Sequence, residues 1–237
     1  MDGIKLVNVS KIYTVEKESI KVLNEINLNI PANKITVILG RSGCGKTTLL
    51  RLVSGLEEFD QGEILGYNSK KTAYVFQEDR LMPWLDVKSN VTFGIHNKKV
   101  DHSRVDEIIE TVGLKKFYSA YPSQLSGGMK QRVSIARAFA YDPDLIMMDE
   151  PFSALDYFTR EQMQKELLKI HNRLKCSILF VTHSIDEALI LGDKIVVLEQ
   201  GIIKSQYKID EKSSTRDLLD DKFVNLKKQI IDDLKVI

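Results

Sequence analysis

Residues 40–48, GRSGCGKTT, have the composition and spacing of a phosphate-binding loop. They fit the pattern G-x-x-x-x-G-K-[ST] and lie between a buried-strand pattern, KITVIL, and a helical pattern, TTLLRLVSGL. Glycine permits backbone conformations in which successive N–H groups point at phosphate oxygens, and the dipole of the following helix attracts the same anion. The loop is therefore predicted to bind a nucleotide. The alternative is a tight turn that has no ligand.

Residues within the loop have separate expected roles. Lys46 would reach the β- and γ-phosphates of ATP, and the Thr47 hydroxyl would bind Mg²⁺. Gly40, Gly43 and Gly45 would adopt conformations that are closed to residues with a side chain. The predicted nucleotide-binding residues of the loop are Gly40, Arg41, Ser42, Gly43, Cys44, Gly45, Lys46, Thr47 and Thr48.

An acidic pair, Asp149 and Glu150, follows the apolar run LIMM. Ligands of open α/β folds bind at the carboxyl edge of the sheet, where Asp149 could hold Mg²⁺. Glu150 is the candidate for polarising an attacking water, because phosphoryl transfer needs positioning and a hydrogen-bond acceptor. Taken alone, the pair could equally be a solvated turn.

Strand patterns of two kinds must position these residues. IKLVNVSKIY, INLNI, GEILGY and TAYVF suggest an antiparallel sheet with one face in water. KITVILG, DLIMMD and CSILFVTH are nearly continuous apolar runs, which predict parallel strands buried on both faces. KIVVLEQGIIKSQY predicts a hairpin that turns at Gln200–Gly201.

Helical patterns fill the middle and the end of the chain. Apolar residues at helical spacing predict a helical insert from residues 101–118 and 127–141. Residues 222–237 predict a closing amphipathic helix, and its expected core residues are Phe223, Leu226, Ile230 and Leu234.

Composition excludes several classes of function. The 237 residues are 43% hydrophobic, and the formal net charge of +1 gives no global field for nucleic acid. Two cysteines form no disulfide framework, which favours a reducing cytosol, and no apolar run is long enough to cross a bilayer. Three of the four histidines have no metal-ligand spacing and are predicted to lie on the surface: His96, His102 and His171.

Four further motifs occur in a fixed order: VFQED with Gln77, LSGGMKQR at 125–132, SALD at 153–156 and VTHS with His183. With the phosphate loop and the acidic pair, they resemble the ATP-binding subunits of ABC transporters over nearly the whole chain. The resemblance implies an α/β fold: a P-loop NTPase (RecA-like) core, an N-terminal antiparallel β subdomain and an inserted α-helical subdomain carrying the signature motif. The expected limits are 1–78 and 142–210 for the core, 79–141 for the helical subdomain and 211–237 for a C-terminal helical segment.

LSGGMKQR, at residues 125–132, resembles the signature motif of this family and implies a second copy of the chain. The resemblance implies a head-to-tail homodimer in which Ser126, Gly127 and Gly128 face the γ-phosphate bound by the partner's loop. A glycine-led helix start attracts an anion as the phosphate loop does, and two-fold symmetry would give two composite ATP sites. The alternative is that Ser126 only caps a buried helix.

The resemblance also assigns the other site residues. Gln77 would sense Mg²⁺ and water, His183 would contact the γ-phosphate and orient Glu150, and Tyr13 would stack on adenine. The implied catalytic set is Glu150, His183, Lys46 and Gln77; the implied metal ligands are Thr47, Gln77 and Asp149. Each residue has a structural alternative: polar surface for Gln77, a strand end for His183, sheet packing for Tyr13. Asp156 would organise the dimer contact or cap a helix.

The residues of these motifs are most similar to those in the ATP-binding subunits of importers for nitrate, sulfonates, taurine or pyrimidine precursors. Met129 and Ser184 depart from the commonest family residues, but neither change removes a phosphate-binding group. Large apolar residues at 81–85 predict a partner site, unless Trp84 anchors the core of the helical subdomain. The resemblance implies that a permease docks there, in the Gln77–Leu85 region. The subunit would then lie peripherally on the cytoplasmic face of the cell membrane and cooperate indirectly with a solute-binding protein.

Other classes of protein remain open. A soluble ABC ATPase could act on nucleic acid or ribosomes, but the sequence shows no long coiled-coil insertion, second nucleotide-binding half or basic excess. A P-loop kinase would need its own acceptor pocket. A purely structural ATP-binding regulator is disfavoured by Glu150 and His183 together.

Overall fold

The structure is a computed structural model that describes residues 3–66, 71–95 and 101–235. The chain divides into two units: the first contains the residues up to 70 and those from 176 onwards, and the second contains residues 71–175. The finer subdivision expected from the sequence stays a prediction. No helix within the described ranges is both long enough and apolar enough to cross a membrane.

The first unit contains a three-stranded antiparallel sheet. Its strands are β1 (Ile4–Val15), β2 (Glu18–Ile30) and β4 (Gln61–Leu65), in the order β2-β1-β4. Buried and exposed residues alternate along much of β1 and β2, as a sheet with one solvated face requires. The sheet predicted from IKLVNVSKIY, INLNI and GEILGY is confirmed.

The first unit also contains three parallel strands and a hairpin. The strands β3 (Ile35–Leu39), β7 (Ser177–Thr182), β8 (Lys194–Glu199) and β9 (Ile202–Lys208) are arranged in the order β7-β3-β8-β9. Every residue of β3 and β7 is buried, as their continuous apolar runs predict. Gln200 and Gly201 have φ of 46° and 77°. These left-handed residues form the predicted turn between antiparallel β8 and β9.

Three helices accompany these strands: α1 (Lys46–Ser54), α6 (Ile185–Leu191) and α7 (Asp221–Leu234). The amphipathic helix predicted at the end of the chain is α7, which contacts α6 and β8. Phe223 and Ile230 are buried as expected, whereas Leu226 and Leu234 are only half-buried. The core face of α7 is therefore narrower than the sequence pattern indicates.

The second unit contains β5 (Thr72–Val75), β6 (Leu145–Asp149) and the helices α2 (Val87–Thr92), α3 (His102–Thr111), α4 (Gly127–Ala140) and α5 (Tyr157–Leu174). β6 is fully buried, as predicted. The prediction that TAYVF continues the antiparallel sheet is wrong, because β5 pairs in parallel with β6. The Asp144 amide donates to the Lys71 carbonyl over 2.8 Å, and this bond joins the residues that directly precede the two strands.

Two other sequence predictions need correction in the second unit. The helix expected over residues 101–118 ends at Thr111, because Gly113 has φ of 71° and closes the last turn. His171 was expected on the surface but is buried on α5, where helical spacing places it beside Leu167 and Ile170. His102 is exposed as predicted, and His96 lies outside the described residues.

Candidate nucleotide-binding site

The phosphate loop follows β3 and leads directly into α1. Gly43 and Gly45 have φ of 80° and 105°, a region that residues with a Cβ rarely adopt. A Cβ on Gly45 would also lie 2.8 Å from the Leu23 Cδ2 atom and 3.0 Å from the Val22 carbonyl oxygen. The conformation and packing of the chain itself therefore require glycine at position 45.

Gly40 is needed for a different reason from the one predicted. Its φ is not positive, so it does not supply a left-handed turn. A Cβ on Gly40 would collide with the Leu198 carbonyl oxygen and would lie 2.6 Å from the Cys44 Sγ atom. Close backbone packing against β8 excludes a side chain here. Burial raises the pKa of the Cys44 thiol, which keeps it protonated beneath the loop.

Lys46 is buried and points back into the loop. Its Nζ atom donates to the carbonyl oxygens of Gly40 and Arg41, each over 2.9 Å. Among the residues that the structure describes, no side chain caps the start of α1, where Gly45 is the N-cap. A helix that starts after a glycine loop is a ready anion site, because its dipole and its first backbone amides attract negative charge. Arg41 and Ser42 are exposed beside it.

His183 lies at the same end of the parallel strands as the loop. Leu39 at the end of β3 is the register partner of Thr182 at the end of β7, and Gly40 and His183 follow these two residues. The His183 side chain is exposed. The strand pairing thus brings His183, which is predicted to contact the γ-phosphate, to the edge of the sheet from which the phosphate loop starts.

Ser184, a departure from the commonest family residue, has a structural role. Its Oγ atom accepts from the Glu187 amide over 3.3 Å and caps α6. The Thr182 hydroxyl donates to the Glu187 carboxylate over 2.5 Å in a buried position. The turn that carries His183 is therefore fixed on both sides.

Tyr13 lies on β1, and its ring is partly exposed. Its hydroxyl donates to the Glu57 carboxylate and also hydrogen-bonds to the Thr48 side chain. Tyr13 therefore contacts the last residue of the predicted nucleotide-binding loop. Its predicted stacking on adenine stays a prediction.

The acidic pair lies in the second unit, at the end of β6. Asp149 is buried, and the Tyr74 hydroxyl donates to its Oδ2 atom over 3.2 Å. Glu150 has φ of 44°, an uncommon conformation for a residue with a side chain, and its carbonyl accepts from the Ser153 amide over 3.1 Å. Tyr74 was missed at the sequence level, because a tyrosine in a strand gives no signal of a carboxylate partner.

Gln77 is exposed just beyond β5. Two side chains of α4 hold its neighbours: the Gln131 Nε2 atom donates to the Phe76 carbonyl over 3.3 Å, and Arg137 donates to the carbonyls of Asp79 and Arg80 over 3.1 Å. The helix that begins at the signature motif therefore braces the segment that carries Gln77. Nothing in the sequence indicated these roles of Gln131 and Arg137.

The signature motif forms the start of α4. Ser126 is the N-cap, and its Oγ atom accepts from the Met129 amide over 3.3 Å. A Cβ on Gly128 would lie 3.1 Å from the Leu155 Cδ2 atom, whereas a Cβ on Gly127 would meet no atom within 4 Å. Ser126 therefore caps α4, and its predicted contact with a partner's γ-phosphate stays a prediction. The described part of the chain gives no steric reason for glycine at position 127.

Asp156 also caps a helix. Its Oδ1 atom accepts from the Thr159 amide over 3.0 Å at the start of α5. Its predicted part in a dimer contact stays a prediction.

The apolar segment 81–85 is an ordered loop with Trp84 at its tip. Trp84 is 70% exposed, so the alternative that it anchors a core is wrong. Asn90 is fully buried on α2; its Oδ1 accepts from the Met82 amide over 2.8 Å, and its Nδ2 donates to the carbonyls of Met82 and Leu85 over 3.1 and 2.9 Å. Asn90, which sequence reasoning missed, fixes the loop that presents Trp84.

A buried strand, a glycine loop and an uncapped helix start, in that order, define an α/β nucleotide-binding protein of the P-loop class. The sequence matches the family model described as ABC transporter over residues 23–153, more than half of the chain. The chain belongs to the ABC transporter family. The resemblance seen in the motifs is thereby confirmed.

Several relatives share most of their length with this chain. The uncharacterized ABC transporter ATP-binding protein MJ0412 of Methanocaldococcus jannaschii is 45% identical over 244 residues, covering 98% of this chain and 91% of the relative. The aliphatic sulfonates import ATP-binding protein SsuB 2 of Pseudomonas syringae is 48% identical over 177 residues, covering 75% of each chain. SsuB of Bacillus cereus is 42% identical over 202 residues, covering 82% of this chain and 80% of the relative.

Solved structures confirm the predicted fold class. The dimeric ATP-binding cassette MJ0796, in a post-hydrolysis state bound to ADP and Pi, aligns with a TM-score of 0.78 and 31% identity over 88% of this chain and all (100%) of that one. The chain cbiO1 of Clostridium perfringens aligns with a TM-score of 0.80 and 26% identity, covering 97% and 96%. The chain is an ATP-binding subunit of the ABC type and an ATPase.

Proposed function

We propose that this chain is the energy-coupling ATPase of an importer for a small solute of the sulfonate, nitrate, taurine or pyrimidine-precursor type. The observation that carries the proposal is the glycine phosphate loop that leads into α1, in a chain 42% and 48% identical to aliphatic sulfonate import subunits. The subunit would act peripherally on the cytoplasmic face of the cell membrane.

The chemical roles divide between the two units. In the first unit, the amides of the phosphate loop and the Lys46 ammonium bind the phosphates of ATP, and His183 contacts the γ-phosphate. In the second unit, Glu150 polarises the attacking water, and Gln77 senses whether the site is filled. Because phosphoryl transfer depends on positioning and electrostatic stabilisation, fixed donors and one well-placed acceptor suffice.

Mg²⁺ fits the oxygen donors that the chain offers. Thr47 and Asp149 would hold it, with Gln77 as a further oxygen donor; the Asp149 carboxylate is already oriented by the Tyr74 hydroxyl. A hydroxyl and a single carboxylate suit Mg²⁺, which keeps waters and substrate phosphates as its other ligands. When bound, the ion would neutralise charge that develops on the phosphates.

A head-to-tail homodimer completes each site in this proposal. Ser126, Gly127 and Gly128 of one subunit would face the γ-phosphate held by the other. The open space at Gly127 supports this role, because its missing side chain leaves room for a ligand that approaches from outside the chain. ATP would stabilise the closed dimer, and loss of the phosphate would reopen it.

The Trp84 loop, residues 81–85, is the proposed docking site for the permease. An exposed aromatic residue on a braced loop is typical of a protein interface. Since α4 also braces the segment after Gln77, movement of that helix would reach the docking loop through neighbouring backbone. A solute-binding protein would be coupled only indirectly, through the permease.

Mixing two inactive variants tests the head-to-tail arrangement. Lys46→Ala removes the phosphate contact, and Gly127→Asp places a carboxylate at the signature start. A mixed dimer would contain one site with both defects and one intact site, so mixing should restore ATP turnover that neither variant has alone. If each site were built from one chain, no ratio of the two would restore turnover, and the composite site would be wrong.

Glu150→Gln tests the assignment of the base. Turnover should fall by about 10²- to 10⁴-fold because the acceptor for the water proton is lost. An ATP-bound dimer should accumulate, which size-exclusion chromatography with light scattering can detect. Glu161→Gln is the matched control, because Glu161 lies on α5 with its side chain 45% exposed and paired with Lys165, and this variant should behave as the wild type. Normal turnover by Glu150→Gln would refute the assignment.

A further inference from the structure

Glu57 connects the predicted adenine-stacking ring to the helix of the phosphate loop. Its carboxylate accepts the hydroxyl hydrogen bond from Tyr13 on β1 through Oε2. The other oxygen, Oε1, lies 3.0 Å from the Arg51 Nη1 atom on α1. One carboxylate therefore bonds at the same time to a strand residue and to the helix that starts at the phosphate loop.

The backbone holds Glu57 in this position. α1 ends at Gly55, whose φ of 71° turns the chain sharply. The amides of Leu56 and Glu57 then donate to the Arg51 carbonyl over 3.0 and 3.3 Å. Since Arg51 bonds to Glu57 through both its backbone and its side chain, the carboxylate has little freedom to leave the Tyr13 hydroxyl.

The Tyr13 hydroxyl is held from a second side. The Thr48 side chain hydrogen-bonds to it, and Thr48 belongs to the phosphate loop. Burial, followed by the hydrogen bond to Glu57, raises the pKa of Tyr13, while the bond from Tyr13 is the main reason that the pKa of Glu57 is lowered. The phenol therefore stays protonated and donates to an ionised carboxylate, which is the stronger kind of hydrogen bond.

A positive charge also lies close to the Tyr13 ring. The Lys11 Nζ atom lies 5.4 Å from the centroid of the Tyr13 ring, within the range of a cation–π contact, and 3.6 Å from the Asp60 carboxylate. Swinging the ring about the Cα–Cβ bond would break the bonds to Glu57 and Thr48 together. The position of the Tyr13 ring is thus determined by its polar end.

We propose that Glu57 is a positioning residue for the nucleotide base: it holds the Tyr13 ring in a fixed place beside the helix of the phosphate loop, so that a base and a triphosphate fit at once. This inference rests on the proposed base-stacking role of Tyr13. A ring that is already oriented loses less freedom when the base stacks on it, and a preorganised site binds more tightly.

The test compares ATP with inorganic tripolyphosphate, which has the phosphates but no base. Affinities are measured by calorimetry for the wild-type chain, Glu57→Gln, Tyr13→Phe, the double variant and Tyr13→Ala. Glu58→Gln is the control, because Glu58 is the exposed neighbour with the same charge. Urea unfolding of the same proteins separates a positioning effect from general loss of structure.

Glu57→Gln should weaken ATP binding by about three- to tenfold, since a hydrogen bond to a charged group is weakened, and should leave tripolyphosphate binding unchanged. Tyr13→Phe should show the same loss. The double variant should lose no more than either single change, because both remove one connection. Tyr13→Ala should show the largest loss.

Three outcomes would overturn the inference in distinguishable ways. If Tyr13→Ala binds ATP and tripolyphosphate as the wild type does, the base does not stack on Tyr13 and the proposed role of that residue fails as well. If Tyr13→Ala loses affinity for ATP alone but Glu57→Gln does not, only the positioning role is refuted. Equal losses for ATP and tripolyphosphate in Glu57→Gln would mean that the carboxylate is merely structural.

Discussion

The two glycine-led helix starts of this chain are built in opposite ways. At the start of α1, no side chain in the described structure caps the helix, and Gly45 has a conformation and neighbours that exclude a side chain. At the start of α4, Ser126 caps the helix, and a Cβ on Gly127 would meet open space. The first start needs glycine at position 45 in order to fold, whereas nothing in the described structure requires glycine at position 127.

The difference separates two reasons for the same residue type. Gly45 is explained by the chain alone, because β2 packs against it. Gly127 has no such explanation among the described residues, and the proposed composite ATP site would supply one. Three substitutions would break or sharpen this contrast, and a fourth, at the cap of α5, serves as a comparison for the cap of α4.

Gly127→Asp should have the largest effect of the substitutions. It should lower ATP turnover and leave the free energy of unfolding nearly unchanged. A carboxylate at the proposed γ-phosphate contact would repel the anion and remove the close backbone approach, so ATP turnover should fall by at least about 100-fold. The free energy of unfolding should change by no more than about 0.5 kcal/mol, as at other open surface positions. Phosphate release and urea unfolding measure the two quantities. Full activity of this variant would remove the external reason for Gly127.

Gly45→Ala should act on stability first. A residue with a Cβ at this φ, close to the Val22 carbonyl, should lower the free energy of unfolding by about 2 to 4 kcal/mol. Gly127→Ala is the matched control; it should leave stability unchanged or raise it by up to about 1 kcal/mol, because alanine favours a helix. Urea titration followed by circular dichroism compares them. Similar losses in both variants would abolish the contrast between the two starts.

Ser126→Ala tests the cap separately from the glycines. Loss of the bond to the Met129 amide should cost about 1 kcal/mol of the free energy of unfolding. Ser126→Thr keeps a hydroxyl cap and should recover most of that stability. If alanine is as stable as serine, the contact of 3.3 Å contributes nothing to the start of α4.

Asp156→Ala should have the smallest effect, and its effect on stability should depend on pH. Hydrogen bonds from Thr159 lower the pKa of Asp156 below its ordinary value in the folded state. Stabilisation by the carboxylate is therefore complete above the unfolded pKa of about 4 and is lost as pH falls through the lower folded pKa. The difference in urea midpoint between wild type and variant should be constant at neutral pH and shrink below about pH 4, whereas that for Ser126→Ala should not. A difference independent of pH would show that the charge is irrelevant to the cap.

Much of the fold follows from local patterns. β3, β6 and β7 are continuous apolar runs and are fully buried, and the hairpin at Gln200–Gly201 has its own turn signal. β5 was misplaced because four residues of mixed burial do not identify their partner; the parallel pairing depends on β6, some 70 positions away in the chain. His171 could have been placed correctly, since it continues the buried helical stripe of Leu167 and Ile170.

The residues of the candidate site also divide into those that a local pattern predicts and those whose partners depend on tertiary structure. The phosphate loop is a continuous motif whose geometry is local, so its residues could be predicted from their order. Tyr74, Gln131 and Asn90 could not, because each acts through a hydrogen bond whose partner is set by tertiary structure, as between Gln131 and the Phe76 carbonyl. Glu57 is similar: only the fold brings it to Tyr13.

The loop fixed by Asn90 also gives the protein a built-in optical reporter. Trp84 is the only tryptophan in the sequence. Since it is 70% exposed at the tip of a held loop, the indole emission of the entire chain comes from one known, water-facing position. Any molecule that covers this tip would shift that emission to shorter wavelength, so engagement of the Trp84 loop can be followed in real time without attaching a dye.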